Sequence, residues 1–367
     1  MKKIVSLIIA CLLLGAISIG CAATPPAPSP AVPAPSLPVN SIPPDPVQEP
    51  AQKDPAGIAA SLTLYTSEPE ELVAEMIADF NSIYPNVAIE IFRSGTGNVT
   101  AKIDTELSTG STEANIIWFA DIGYIQGLDD QGLIYHYSPE AAANFSPEYA
   151  YNEGMGHEVR LIYNVLAYNT AAVAEADAPK DWNDVTGAMF KSKFALANPN
   201  YSGGAFTALV VHVQNESKAG WSFYENATAN DCKYEQSNGN LQTKVASGEY
   251  AAVAIVDFMA RNAKAEGSPV EVVYPSSGAI LIPTPVAIVN NIPEGELEGA
   301  KAFIDYLFTE QAQKLFIAQG YIPVMPEAGV PIGAPTAEEI VTMPFDLAYY
   351  VANSSTIRNT YVEKFGE

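Results

Sequence analysis

Two short segments place glycines and hydroxyl side chains directly ahead of helix-like runs. They are Ser94-Gly95-Thr96-Gly97, before Val99, Ile103 and Leu107, and Ser202-Gly203-Gly204, before the apolar stretch from Ala205 to Val213. The first turn of a helix has unpaired N–H donors and the positive end of the helix dipole, and glycine lets another group approach the backbone closely. Both loops therefore suit an oxyanion. The same residues also serve as plain N-caps and turn formers, so the pattern alone leaves both roles open. Arg93, at the end of a strand-like run, could clamp an oxyanion with paired N–H bonds. Neither loop is a nucleotide cradle. Lys102 lacks the G-x-x-x-x-G-K-[ST] context, and Thr100 stands where G-x-G-x-x-G needs its last glycine.

Catalytic chemistry finds little support. G-x-S-x-G is absent, and His136, His157 and His212 show neither H-x-x-x-H nor H-E-x-x-H spacing. His212 falls in an apolar helix and reads as a core residue. Of the three cysteines, Cys11 lies in the apolar leader, Cys21 just after it, and Cys232 stands alone as a structural thiol. No metal, cofactor or enzymatic activity is expected. With 18 Lys and Arg against 42 Asp and Glu, the net charge of −24 repels nucleic acid and anionic headgroups, so neither is an expected partner.

The amino terminus carries its own instructions. Lys2 and Lys3 precede an apolar run from Ile4 to Gly20, which marks residues 1–20 as a secretory signal too short for a comfortable membrane span. Residues 22–55 are dominated by Pro, Ala and Ser, which favour an extended spacer and cannot build a core. Cys21 follows Ser18-Ile19-Gly20 and resembles a bacterial lipobox cysteine, although Ser18 replaces the usual aliphatic residue. That resemblance implies an exported protein held at the membrane only by a lipid on Cys21, with residues 21–60 as tether.

The loops sit on a recognisable framework. Leu62 to Tyr65 reads as a strand, and Leu72 to Tyr84 as a helix ended by Pro85. Val87, Ile89 and Ile91 read as a second strand, the run from Val99 as a second helix, and Ile116 to Phe119 as a third strand. This order predicts a largely parallel α/β sheet. Phe194 to Ala197, Ala251 to Val256 and Ile280 to Val289 add strands, the last interrupted by Pro283 and Pro285. Ala300 to Phe316 predicts one long helix or a pair. Open α/β sheets bind ligands beyond the carboxyl ends of their strands, which adds Thr66, Ser67 and Asp121 to the candidates. Each of these can instead cap a helix.

Read in order, Leu62-Thr-Leu-Tyr-Thr-Ser67, the Arg93 loop, Trp118-Phe-Ala-Asp121, Ala167-Tyr-Asn-Thr170, Ala197-Asn-Pro199, Ser247-Gly-Glu-Tyr250 and Gln319-Gly-Tyr-Ile-Pro323 resemble the solute-binding proteins of ferric-iron, phosphonate and sugar-phosphate importers. The resemblance implies a type II periplasmic-binding fold, α/β and two-lobed, with hinge strands between the lobes. Residues 61–163 and 274–367 would form one lobe and residues 164–273 the other. It implies a monomer that passes a small-molecule ligand to the permease of an ABC importer. Ferric members commonly present adjacent tyrosines after the strand matching Ala251–Val256; here the residues are Asp257-Phe258, which disfavours iron and offers Asp257 as an acceptor for a ligand amine or hydroxyl. An iron receptor and a ligand-binding sensor subunit are the alternative readings.

Overall fold

A computed structural model describes residues 54–366; the signal segment, Cys21 and nearly all of the tether lie outside the described residues. Along the chain, β1 (Ala60–Thr66) leads to α1 (Glu70–Asn81), β2 (Val87–Arg93), α2 (Thr96–Leu107), β3 (Ile116–Trp118), α3 (Ile122–Asp129) and β4 (Ile134–Tyr135). Short strands β5 (Ala150–Tyr151) and β6 (Gly156–His157) follow. α1 buries Val73, Met76, Ile77 and Phe80, the face its spacing predicts. β1 pairs in parallel with β2 and β3, with Leu64 opposite Ile91 and Ile116.

The chain then enters a second sheet through β7 (Arg160–Leu161) and β8 (Tyr163–Asn169), all of whose residues are buried. Next come β9 (Phe194–Ala197), α4 (Gly203–Gln214), α5 (Gly220–Ala229), β10 (Lys233–Glu235), α6 (Asn238–Ser247), β11 (Ala252–Val256), α7 (Asp257–Ala265), β12 (Val270–Val273) and β13 (Ile280–Leu281). This sheet runs β10-β9-β11-β8-β12, with β13 also on β8. Its strands are mixed in direction: β9 is parallel to β10 and β11, whereas β8 is antiparallel to β11, β12 and β13.

The return crossing shows why the Ile280–Val289 segment cannot be one strand. Pro283 and Pro285 remove two ladder donors, so pairing stops after β13 and resumes at β14 (Val286–Val289), antiparallel to β3 in the first sheet. Thr284, between the prolines, keeps its N–H satisfied by donating to Glu158 Oε1 at 2.8 Å. The two crossings also touch directly, Ile282 N–H donating to Ile162 O at 2.9 Å. The first sheet is therefore mixed as well, ordered β2-β1-β3-β14-β6-β5, with β4 on β14.

α8 (Glu294–Leu307) and α9 (Glu310–Ala318) are two helices, the second opened by Thr309, whose hydroxyl accepts from Ala312 N–H. β15 (Ile322–Pro323) pairs with β7, and the chain ends in α10 (Leu347–Phe365). No periodic apolar face announces this nineteen-residue helix, which buries only Tyr350, Ile357 and Tyr361. It packs against both α3 and α4, touching elements of each sheet. Among the described residues no helix is long and apolar enough to cross a membrane.

Candidate binding site

A cavity of about 360 Å³ opens where the two sheets face each other. One side is built by Ser67, Glu68 and Pro69 after β1, by Arg93, Gly95 and Thr96 between β2 and α2, and by Ala120 after β3. The opposite side comes from Tyr201 to Gly204 at the start of α4, Gln236 to Gly239 at the start of α6, and Val256, Phe258 and Met259 where β11 turns into α7. Ile162, Ile282 and Thr284, from the crossings, also line it.

Donors dominate its polar surface. In α4, Ser202 caps the helix by accepting from Ala205 N–H at 3.3 Å, so the N–H groups of Gly203 and Gly204 are left without an acceptor among the described residues. In α6 Ser237 plays the same part, accepting from Asn240 N–H at 3.2 Å and leaving Asn238 and Gly239. α2 is preceded by Gly95 at the N-cap with no side-chain cap, and Thr96 and Gly97 N–H are likewise without an acceptor among the described residues. Three helix N-termini thus reach one cavity, each with free donors and positive potential. Arg93 joins them: its Nε donates to Glu68 O at 3.1 Å, and among the described residues it has no ion-pair partner. This local field stands against the acidic charge of the whole chain.

The two sides meet closely beside the cavity. A Cβ on Gly97 would stand 2.8 Å from Asn200 O, and one on Gly95 3.1 Å from Tyr201 O. On Gly203 it would fall 2.7 Å from Thr96 Oγ1 and 2.9 Å from the Ala120 carbonyl carbon, and closer still to that carbonyl oxygen. Real Cβ atoms essentially never come as close as the contacts at Gly97 and Gly203, and the one at Gly95 is tighter than most, so these glycines let the two sides meet. α10 adds a clasp nearby. The Arg358 guanidinium lies 3.7 Å from the Phe206 ring centre and 3.7 Å from Asp121 Oδ2, and donates to Pro199 O at 3.3 Å.

Of the residues singled out from the sequence, Ser67, Arg93, Gly95, Thr96, Ser202, Gly203 and Gly204 are brought together on the cavity wall. Four lie off it. Thr66 is buried at the end of β1, where its hydroxyl donates to Trp118 O at 2.7 Å and accepts from Glu68 N–H at 3.0 Å; it shapes the turn that presents Glu68. Ser94 donates its N–H to Thr66 O, and its hydroxyl accepts from Asn98 Nδ2. Asp121 caps α3, accepting from Tyr124 N–H; burial raises its pKa, opposed by the nearby Arg358. Asp257 is fully buried, accepting from Arg261 at 2.6 Å, Tyr163 N–H at 3.0 Å and Tyr274 Oη at 3.2 Å. Both of its oxygens are engaged by partners behind the wall, while Val256, Phe258 and Met259 beside it line the cavity.

Glu68 and the Ser237 to Gly239 cap went unread in the sequence. The cap repeats the serine–glycine chemistry of the other two loops; α6 simply has too few apolar residues to stand out, burying only Leu241 and Val245. Glu68 is 6% exposed. Behind it, Arg160 is fully buried between the rings of Trp118 and Tyr321, 4.9 and 4.7 Å from their centres, with Nη2 2.6 Å from Glu68 Oε2. Arg160 Nη1 donates to Thr284 Oγ1 at 2.5 Å, and Thr284 Oγ1 lies 3.2 Å from Glu158 Oε2. Burial pushes Glu158 up to about 7, against the pull of Arg160. His212 is a core residue, its Nδ1 3.2 Å from Tyr224 Oη and its pKa pushed down to about 3 by burial.

Residues 75–339 match the family of bacterial extracellular solute-binding proteins. The chain belongs to this family. Among relatives of this solute-binding protein is an ABC transporter periplasmic-binding protein of Sinorhizobium fredii, 26% identical over 208 residues, 55% of this chain and 58% of that one. A Salmonella paratyphi A protein named for periplasmic 2-aminoethylphosphonate binding is 24% identical over 236 residues, 62% of this chain and 66% of that one. The structure is similar to the periplasmic binding protein AfuA of Actinobacillus pleuropneumoniae with fructose-6-phosphate bound, at a TM-score of 0.74 and 21% identity, covering 83% of this chain and 98% of that one. The solute-binding protein accordingly has the two-lobed periplasmic-binding fold.

Proposed function

We propose that this solute-binding protein serves an ABC importer and captures a small oxyanionic solute, an organophosphonate or a phosphate ester, in the cavity between its sheets. The observation that carries this reading is the meeting of three helix N-termini with free N–H groups, together with Arg93, at one cavity. A phosphoryl or phosphonyl group has three oxygens to receive such donors, and backbone donors bind it with little reorganisation. A ferric ion needs anionic oxygen ligands instead. Tyr201 is the one tyrosine among the described lining residues, and the described residues hold no cluster of three or more His, Cys, Asp or Glu able to bind a metal.

In this reading residues 61–163 with 274–367 form one lobe and residues 164–273 the other, closing on the solute as a monomer. The sheet memberships of β1 to β6 and β14 on one side and β8 to β12 on the other support that division, although β13, within 274–367, pairs with β8 of the second sheet; α10 packs against both α3 and α4. The protein acts by binding and release, without catalysis, and hangs from the outer face of the membrane by a lipid on Cys21.

A thermal-shift panel tests the reading. It would contain 2-aminoethylphosphonate, ethylphosphonate, glycerol 3-phosphate, fructose 6-phosphate and ferric citrate. A ligand at one hundred times its Kd stabilises by about 2.7 kcal/mol, which a melting curve resolves easily. A shift with a phosphonate or phosphate ester is expected. A shift with ferric citrate alone, accompanied by a visible phenolate charge-transfer band, would overturn the oxyanion reading in favour of iron.

A further inference from the structure

We infer that Glu68 selects solutes that carry a cationic amine in addition to their oxyanion. The inference rests on the oxyanion reading and narrows it to amino-substituted phosphonates or phosphate esters.

Glu68 lines the cavity, yet it is 94% removed from solvent. Its protein contacts fall on one oxygen. Arg160 Nη2 at 2.6 Å and Tyr321 Oη at 3.2 Å both address Oε2. Oε1 has no partner among the described residues. An ionised carboxylate offers about four lone-pair positions, so closing the cavity around a solute that leaves Oε1 unmet is costly. The group is also held in place. Thr66 Oγ1 fixes the Glu68 N–H, Arg93 Nε fixes the Glu68 carbonyl, and Pro69 follows directly.

The cavity thus offers two unlike polar surfaces: backbone donors at α2, α4 and α6, and one half-satisfied acceptor at Glu68. Val256, Phe258, Met259 and Ile282 supply an apolar lining suited to a short alkyl chain. A solute with an oxyanion at one end and an ammonium at the other would satisfy both surfaces. A plain alkylphosphonate would leave Oε1 unpaired when the cavity closes around it. A hydroxyl would donate one hydrogen bond without offsetting the charge.

Two probes that differ only in the amine provide the test: 2-aminoethylphosphonate and ethylphosphonate, titrated calorimetrically into the mature full-length protein. In the parent, the amine should tighten binding at least tenfold, about 1.4 kcal/mol. In Glu68→Gln the ratio of the two affinities should fall to about threefold or less. Because that substitution strips Arg160 of a counter-ion, Glu68→Asp serves as a second variant that keeps the charge; it should retain a preference for the amine. Equal affinities for both probes in the parent would overturn the inference and leave the oxyanion reading standing. Tighter binding of glycerol 3-phosphate than of 2-aminoethylphosphonate would do the same. Failure of all three to bind would remove both. A ratio unchanged in Glu68→Gln would show that another group reads the amine.

Discussion

Gly203 offers the sharpest test of how this protein closes. A methyl group there would face the Ala120 carbonyl and lie 2.7 Å from Thr96 Oγ1, and both of those residues belong to the half that carries the first sheet. Two of the three atoms concerned are backbone, so the clash cannot be relieved by rotating a side chain. Overpacking of this kind costs about 1–3 kcal/mol. The cost falls on the closed arrangement alone, because separating the halves removes it. The apparent Kd should therefore rise roughly fivefold to 150-fold in Gly203→Ala. The helix itself pulls the other way, since alanine is favoured over glycine by up to about 1 kcal/mol in helical positions. Ligand-free melting should accordingly hold steady or rise while affinity drops, an opposition that general destabilisation does not produce. Calorimetry with 2-aminoethylphosphonate and X-ray scattering with and without it would measure the two effects. Gly127→Ala is the control, because a Cβ there meets nothing within 4 Å. Parental affinity together with full compaction in Gly203→Ala would refute the closing contact.

Three further outcomes follow from other parts of the molecule. Arg358→Ala removes the contacts with Phe206 and Asp121, worth about 1 kcal/mol together, and should weaken binding about fivefold with a less compact liganded particle in scattering. Glu158 keeps its proton up to about pH 7 in the folded state but ionises near 4.5 when unfolded, so its contribution is complete below about pH 4.5 and is lost as pH rises through 7. Urea midpoints should decline over that window by the equivalent of up to about 3 kcal/mol, and Glu158→Gln should flatten the decline. Cys21→Ser should move the protein from the membrane fraction to the soluble one; equal membrane retention of parent and variant would show that the anchor lies elsewhere.

Much of this site was legible because its chemistry is local. A serine or threonine, a glycine and a following helix are contiguous in sequence, and two such loops are readable as donors from sequence alone. Residues whose role depends on distant partners were not. Glu68 sits in an ordinary acidic stretch, Ser67-Glu68-Pro69-Glu70-Glu71, and becomes a buried acceptor only because β7 brings Arg160 behind it. Asp257, which lies off the cavity wall, is the opposite case. Its partner Arg261 stands four residues on, on the same face of α7, a spacing that marks a helical ion pair without reference to the fold. That signal was in the sequence and outweighs the positional likeness to a ligand-bearing tyrosine. The framework was legible wherever apolar periodicity was strong, as in α1, β9 and β11. It was silent for α10, which packs through a few aromatic contacts spread over five turns.

The close approach at Gly95, Gly97 and Gly203 also bears on where the energy of closure resides. These positions contribute an absence, a missing Cβ, and the groups they admit are carbonyls of Ala120, Asn200 and Tyr201, which gain nothing from facing a Cα. The bare contact is permissive rather than attractive. Attraction must come from elsewhere, and two sources are visible: the Arg358 clasp, worth about 1 kcal/mol, and the unpaired donors of three helices. Without a solute those donors are better served by water in an open cleft than by a shrinking cavity. With an oxyanion between them, donors from both halves share one acceptor group, and that gain exists only when the halves are together. A solute touching a single half would bind open and closed forms alike and shift nothing. Under the oxyanion reading, occupancy and closure would be coupled through the anion, and a permease that docks the closed surface would read occupancy without contacting the solute.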